Sequence, residues 1–203
     1  MADDASPAYA TDPDNGEPLY AYKPSLLGAP HEFRLAEDAL VYRVGARSGR
    51  LPYGGIRRLR LSFRPVTMQS HRFLAEIWPA AGPKLQIVST SWRSMVELTR
   101  LDAAYVAFLT ELHRRIAAAD AKALFTTGTP PLIYWPGLAV FVVVALALAA
   151  LTVRALQAGA TAGAIFVVVF LGVFLWQAGT FFRRNRPGSY APRAIPAAVL
   201  PRV

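Results

Sequence analysis

The sequence predicts an α+β protein in two parts, a soluble domain followed by a C-terminal hairpin of two transmembrane helices. Three observations indicate this: β-type patterning over about residues 31–99, one amphipathic helix after it, and two long runs without a charged residue near the C-terminus. The composition agrees, because 54% hydrophobic residues is too apolar for an ordinary soluble domain, whereas 17% charged residues is too polar for a chain lying wholly in a membrane.

The β-type patterning predicts about seven strands. It is clearest over 56–64, where apolar and polar residues alternate. A period of two with one apolar face is typical of a half-buried strand. The predicted strands are 31–36, 40–44, 50–54, 56–64, 71–78, 84–90 and 94–99. The predicted core residues, including those of the following helix, are Leu59, Leu61, Phe63, Phe73, Ile77, Phe108 and Leu112.

The amphipathic helix follows the strands. Its apolar residues from Tyr105 to Ile116 recur at intervals of three and four, and Asp102 is a suitable N-cap. We expect this helix to cover one open side of the sheet. Since a charge in an apolar interior is far more damaging than one at the surface, Phe63→Asp is expected to unfold the domain and Arg60→Asp is not.

The two uncharged runs, 132–153 and 160–182, predict transmembrane helices. At about 1.5 Å per residue, each is long enough to cross a hydrocarbon core of about 30 Å. Basic residues cluster before the first run and after the second, whereas the connection 154–159 carries a single Arg. The positive-inside rule therefore predicts a multi-pass protein of the inner (cytoplasmic) membrane with both termini cytoplasmic.

Residues 38–64 resemble the core hairpins of bacterial pleckstrin-homology-like (PH-like) domains. The resemblance consists of a strand after an acidic turn, a short basic segment, and a step into the next strand that reads Leu51-Pro52-Tyr53-Gly54-Gly55-Ile56. It covers about residues 31–119, and bacterial members of the family often carry transmembrane helices. The resemblance implies a curved β-sheet or partly open barrel capped by a C-terminal helix, and it implies no particular ligand.

The remaining segments complete the domain organisation. The acidic N-terminus is typical of disorder, and 19–30 is expected to dock on the domain. The C-terminal tail has regularly placed apolar and Pro residues, so it either binds a surface of its own domain or of a partner, or is a floppy basic tail. The predicted organisation is a disordered acidic tail (1–18), a PH-like cytoplasmic domain (19–121), a linker (122–131), transmembrane helix 1 (132–153), a periplasmic turn (154–159), transmembrane helix 2 (160–182) and a basic Pro-rich cytoplasmic tail (183–203).

A run of arginines is the feature of the soluble domain that points to binding. Residues 43–72 contain many arginines and no acid, and alternate residues of a strand share a face. A tethered domain that holds such a face near an anionic leaflet gains about 1 kcal/mol per basic residue. The alternative is an ordinary solvated face. The predicted lipid- or partner-binding residues are Arg43, Arg57, Arg58, Arg60 and Arg64.

Small residues around the second transmembrane run predict close helix contact. Gly159 and Gly163 have the Gly-x-x-x-Gly spacing, and Gly172 follows. We expect these glycines to pack the two spans against each other, or alternatively against another membrane protein.

No motif in the sequence supports an enzyme. Cysteine is absent, the three histidines lack ligand-type spacing, and there is no nucleophile elbow, Walker loop or dinucleotide fingerprint. We therefore expect no catalytic residue, cofactor or metal. The net charge of +9 favours lipid headgroups rather than nucleic acid in a chain with membrane spans.

Two functional hypotheses remain open from the sequence. One is a membrane-anchored interaction or scaffold module on the cytoplasmic face that contacts anionic lipid or a protein partner. The other is an accessory subunit of a larger integral membrane complex, which packs through its transmembrane hairpin and C-terminal tail.

Overall fold

The structure, a computed structural model, describes residues 10–65, 71–94 and 97–203. The chain divides into two compact units. One, here called the α+β unit, consists of the chain up to Thr127 together with Gly188–Val203; the other, the helical unit, is Gly128–Pro187. The fold is therefore mixed α+β with two long apolar helices, as the sequence predicts at this level.

The first sheet of the α+β unit is an antiparallel meander of five strands in chain order. The strands are β1 (Ala10–Thr11), β2 (Pro18–Tyr22), β3 (His31–Leu35), β4 (Ala39–Val44) and β5 (Arg47–Pro52). The predicted disordered tail 1–18 falls partly outside the described residues. Its described part differs from the prediction, because β1 pairs with β2 and because Asp12 and Glu17 form ion pairs with Arg34 on β3.

The second sheet joins segments that are far apart in the chain. Its strands are β6 (Ile56–Pro65), β7 (His71–Pro79), β8 (Leu85–Val88), β11 (Leu124–Thr127) and β12 (Gly188–Ser189), in the order β12-β11-β6-β7-β8. A separate antiparallel pair is formed by β9 (Thr90–Trp92) and β10 (Leu98–Arg100). A short 3₁₀ turn, Tyr53–Gly55, lies between β5 and β6.

Helix α1, Asp102–Ala118, supplies the apolar stripe that the sequence predicts. The predicted core residues on β6, β7 and α1 are all buried, so the predicted strand phase is confirmed. Asp102 is the first helical residue and not the N-cap, which is Leu101. Its carboxylate forms an ion pair with Arg100 and lies in the first turn, where negative charge is favourable.

Two tyrosines connect the first sheet to the end of the second. The hydroxyls of Tyr20 and Tyr22, on β2, donate hydrogen bonds of 2.7 Å to the carbonyls of Val88 and Gln86 on β8, the last strand of its sheet. Both tyrosines are buried, and the Tyr20 ring packs on Phe108 of α1. The segment from residue 19 is therefore an integral part of the α+β unit.

The predicted linker and the end of the predicted tail both form strands. Within 122–131, strand β11 pairs in parallel with β6. On its other side, Thr126 and Thr127 pair with Ser189 and Gly188 of β12. The linker prediction missed β11 because the strand is short and its neighbours are distant in sequence. The tail binds its own domain, which was one of the alternatives.

Tyr190 anchors the tail to helix α1. Its hydroxyl lies 2.9 Å from Nε2 of His113, while Nδ1 of His113 lies 2.6 Å from the Leu109 carbonyl. The Tyr190 ring also packs edge-on against Phe125 of β11 at 5.7 Å between centroids. Since a carbonyl only accepts, Nδ1 carries the proton and Nε2 accepts from Tyr190. Burial lowers the pKa of His113 to about 4, so the ring is neutral at pH 7.

The helical unit consists of α2, Pro131–Gln157, and α3, Thr161–Arg184. Both helices are long and apolar enough to cross a membrane. They pack through aromatic side chains, since the Phe141 ring lies 5.2 Å from those of Phe174 and Phe182. Both extend beyond the predicted spans, because each helix continues into the basic residues that follow its uncharged run.

Candidate functional site

The five predicted binding arginines do not form one continuous face. Arg43, on β4, forms an ion pair of 3.5 Å with Glu32 on the adjacent strand. Arg57 and Arg58 are exposed on β6. The Arg58 guanidinium lies 5.9 Å from the ring centroid of Trp78. Arg57 and Arg58 therefore remain available to a charged surface, whereas Arg43 already has an acidic partner.

Arg60 is held against a buried carboxylate on β7. Its Nε donates to Oε2 of Glu76 at 2.9 Å, and Nζ of Lys84 donates to Oε1 at 2.7 Å. The Glu76 side chain is only 3% exposed. Burial alone would raise the pKa of Glu76, but the hydrogen bonds from Lys84 and Arg60 outweigh burial and lower that pKa. Arg60 is therefore half of a structural ion pair.

This pairing leads us to expect that Arg60→Asp destabilises the domain, in contrast to the expectation from the sequence. Arg60 and Glu76 are directly opposite each other on neighbouring strands. An aspartate at position 60 would place a second carboxylate against one that is already buried. Arg60 is on the polar face of β6, as predicted, but its partner makes that face an internal contact.

Arg60 and Arg64 line a cleft of about 590 Å³ in the α+β unit. The polar faces of β6 and β7 contribute to it, and so do the ends of β2, β3 and β4 and part of β9. We call it the cationic cleft, because its charged lining contains five cations and one carboxylate. These residues are Lys23, Arg60, Arg64, Arg72, Lys84 and Glu76.

Two arginines of the cleft are placed against each other. Arg64 on β6 is directly opposite Arg72 on β7. Residues in this relation have Cβ atoms about 4.5–5.5 Å apart, and like charges there are destabilising. Within the described ranges, neither guanidinium has an acidic ion-pair partner. The positive charge at this end of the cleft is therefore not balanced from within the described part of the domain.

The polar face of β6 and β7, which contributes to the cleft, also contains buried polar atoms with no partner among the described residues. Among residues 10–65, 71–94 and 97–203, the buried Nε of Arg72 and the buried Oγ of Ser62 make no hydrogen bond. Ser62 lies between Arg60 and Arg64 on the same face of β6 and is 2% exposed. An unpaired buried polar group costs about 1–3 kcal/mol. The unbalanced positive charge of the cleft lining suits an anion.

The sequence did not point to Lys23 or Lys84, and Arg72, the last arginine of the run 43–72, was not among the predicted binding residues. Lys23 lies just after β2, Arg72 lies on β7 and Lys84 lies just before β8, and strand pairing brings them to Arg60 and Arg64. One signal was present, because Arg72 and Glu76 are four residues apart on a strand and so share a face. The part of the chain that the structure describes contains no group of three or more His, Cys, Asp or Glu suited to a metal.

The first of the glycines predicted to pack the two helices lies in the turn between them. Gly159 ends α2 with φ 74°, and Ala160 and Gly159 donate their N–H groups to the carbonyls of Ala155 and Leu156. This is a Schellman motif, which needs a residue in the left-handed region. Gly159 is therefore a turn residue, which corrects the predicted packing role.

Gly163 and Gly172 are on α3 but away from α2. A Cβ atom built on either glycine meets no atom within 4 Å, so neither is at a close contact between the two helices. The predicted packing between the two spans is made by aromatic rings instead. The other alternative, contact with a different membrane protein, stays a prediction.

Comparison with known proteins finds no similar chain. No protein-family model matches the sequence, and searches of curated proteins and of solved structures also return no match.

Proposed function

We propose that the protein is a membrane-anchored, non-enzymatic interaction or scaffold module on the cytoplasmic face of the inner membrane, and that its α+β unit contacts anionic lipid. One observation carries the proposal: the hairpin of two apolar helices is inserted between two adjacent strands of a domain with a positively charged surface. We also propose a PH-like fold, supported by the element order: the meander β2–β5, the antiparallel group β6–β8, and then α1.

The pairing of β11 with β12 supports the proposed topology. Thr127 and Gly188 are paired residues of one sheet, although the whole helical unit separates them in the chain. Both ends of the hairpin therefore belong to the same folded unit and must lie on one side of a membrane that α2 and α3 cross. The basic residues at those ends, Arg183 and Arg184 among them, favour the cytoplasmic side.

Reporter fusions test this topology. We expect a reporter fused after Val203, which is exposed, to show a cytoplasmic signal, and a reporter inserted within 157–159 to show a periplasmic one. A periplasmic signal from the C-terminal fusion contradicts the proposed orientation. Opposite signals from fusions before α2 and after α3 contradict the hairpin itself.

Contact with anionic lipid is supported by exposed positive charge on a domain that is tethered to the proposed membrane hairpin. Arg57 and Arg58 project from β6, and tethering raises the effective concentration of headgroups around them. Each basic residue near an anionic surface gains about 1 kcal/mol. The contact should weaken with salt, because exposed charges are screened beyond about 8 Å at physiological ionic strength.

Fluorescence energy transfer on the full chain tests lipid contact. The chain has no cysteine, so Ser48→Cys on exposed β5 carries a single donor dye, and acceptor-labelled lipid is placed in the nanodisc. We expect higher transfer in phosphatidylglycerol discs than in phosphatidylcholine discs, with the difference lost at high salt and reduced by Arg57→Ser with Arg58→Ser. Equal transfer in both discs at low salt contradicts the proposed lipid contact.

An accessory subunit of a larger membrane complex is the second candidate. The open sides of Gly163 and Gly172 on α3, where an added Cβ meets nothing, favour it. Native sizing after detergent extraction separates the two proposals. A discrete small species supports the anchored module, and co-migration with large partners supports the subunit.

A further inference from the structure

We infer that the cationic cleft is a discrete site for a single phosphate group of the phosphomonoester type, which carries close to two negative charges. This deepens the proposed function, on whose cytoplasmic placement it rests. A diffuse contact with anionic lipid requires only exposed charge. A discrete site requires convergent donors, an uncompensated charge and a cavity, and the cleft has all three.

The charge of the cleft matches a dianion better than a monoanion. Its lining holds five cations and one carboxylate, which leaves four positive charges. Glu76 is already engaged by Arg60 and Lys84, one on each oxygen. Lys23, Arg64 and Arg72 therefore have no carboxylate of the cleft to pair with. A phosphomonoester contributes about −1.5 to −2 at pH 7, whereas a carboxylate or a phosphodiester contributes only one charge.

The donors are arranged for a group with several acceptor oxygens. Arg64 and Arg72 are directly opposite each other on β6 and β7, and both line the cleft. Arginine binds phosphate oxygens through two N–H groups at once. Arg72 lines the cleft, and its buried Nε makes no hydrogen bond within the described residues. The three terminal oxygens of a phosphomonoester can accept from both arginine side chains.

The site is maintained at the expense of stability. The Arg64–Arg72 pair places like charges directly opposite each other, which disfavours the fold when nothing lies between them. Stability sacrificed at one location is a recurrent property of binding sites. Arg72→Gln should therefore leave the melting temperature unchanged or raise it when phosphate is absent. A merely structural arginine would instead lower the melting temperature when replaced.

The cleft is large enough for more than the phosphate. Its volume of about 590 Å³ is within the range of small-molecule sites, about 300–1,000 Å³. The phosphate is therefore either the headgroup of a phosphomonoester lipid such as phosphatidic acid, or part of a soluble phosphorylated compound. The lipid headgroup and the soluble compound present the same phosphomonoester group to the arginines.

The test uses the full chain in neutral phosphatidylcholine nanodiscs. Inorganic phosphate is titrated against sodium chloride of equal ionic strength, and the melting temperature of the domain is measured. We expect a saturable rise for the wild type, because a ligand that binds the folded state stabilises it. Arg64→Ser with Arg72→Ser should weaken the apparent affinity by about tenfold or more, since it removes two charge-assisted contacts.

The control removes the same charge outside the cleft. Arg193→Ser with Arg202→Ser alters two exposed arginines of the tail and should retain the phosphate response. Absence of a saturable rise in the wild type, or equal losses in the two double variants, overturns the site. Because these discs contain no anionic lipid, the result does not depend on the energy-transfer test of lipid contact, and either proposal can fail alone.

A second set of discs distinguishes the two sources of phosphate. Phosphatidic acid and phosphatidylglycerol discs of equal surface charge are compared. If the lipid headgroup occupies the cleft, phosphatidic acid alone raises the melting temperature and suppresses the response to added phosphate, and Arg64→Ser with Arg72→Ser removes this difference. If the ligand is soluble, the phosphate response is the same in both discs. Both results support the site, and a lipid-specific rise that survives the double variant overturns it.

Discussion

Arg60→Asp is expected to destabilise the α+β unit by about 3–5 kcal/mol, the range measured when one partner of a buried ion pair is removed. The Glu76 carboxylate is 3% exposed and would lose one of its two cationic partners while gaining a negative neighbour. This loss is a substantial fraction of a typical domain stability of about 5–15 kcal/mol. Denaturant unfolding of the full chain in nanodiscs, followed by near-ultraviolet circular dichroism, measures the change in the free energy of unfolding.

Arg58→Asp is the matched control for this prediction. Arg58 has the same charge and lies two residues away on the same face of β6, but it is exposed and packs over Trp78. Its replacement should change the free energy of unfolding by less than about 1 kcal/mol. Equal effects of Arg58→Asp and Arg60→Asp would show that Glu76 is not held by Arg60.

A double replacement distinguishes the effect of removing the Arg60–Glu76 ion pair from the effect of leaving Glu76 buried without Arg60. Arg60→Leu alone leaves the Glu76 carboxylate buried with only Lys84 and Gln86 beside it. Arg60→Leu with Glu76→Leu removes both charges, and such exchanges are often neutral. The double variant should therefore be more stable than either single variant.

The alternation of apolar and polar residues in β6 shows which structural features a local sequence pattern predicts and which it does not. Leu59, Leu61 and Phe63 are buried as predicted, because side-chain period depends only on the strand itself. The environment of Arg60 was missed, because its partner Glu76 is 16 residues away and reaches it only through the register of β6 with β7. Pattern predicts which face a residue occupies; it does not predict the cross-strand neighbour.

Because a local pattern does not predict which strands pair, the sequence also predicted neither the cationic cleft nor the strands β11 and β12. The uncharged runs predicted both apolar helices, since length and hydrophobicity are local properties. By contrast, β11 and β12 are four and two residues long, too short for a periodic signal. They exist because β11 pairs with β6 and β12 pairs with β11. Lys23, which follows β2, likewise joins the cleft through the assembly of distant strands.

Ending the chain at Pro187 is expected to destabilise the α+β unit by about 3–5 kcal/mol, as for removal of a packed aromatic side chain. The truncation removes Tyr190 from its contacts with His113 and Phe125. It also removes Val199, which is 1% exposed, and the strand that pairs with β11. His113, 1% exposed in the intact chain, would lose its hydrogen bond at Nε2. Thermal unfolding of the full chain and of the truncated chain in identical nanodiscs measures the loss.

Two variants show that the loss comes from docking of the tail. Tyr190→Phe keeps the ring but removes the donor to His113, so it should destabilise by only about 1 kcal/mol. Joining Thr127 to Gly188 through an Asn-Gly turn removes the helical unit but keeps the tail, and two-residue turns of this type connect directly paired antiparallel strands. This chain should be soluble and close to the full chain in stability. If truncation at Pro187 leaves the melting temperature unchanged, or if the joined chain unfolds as readily as the truncated one, the tail is not part of the folded domain.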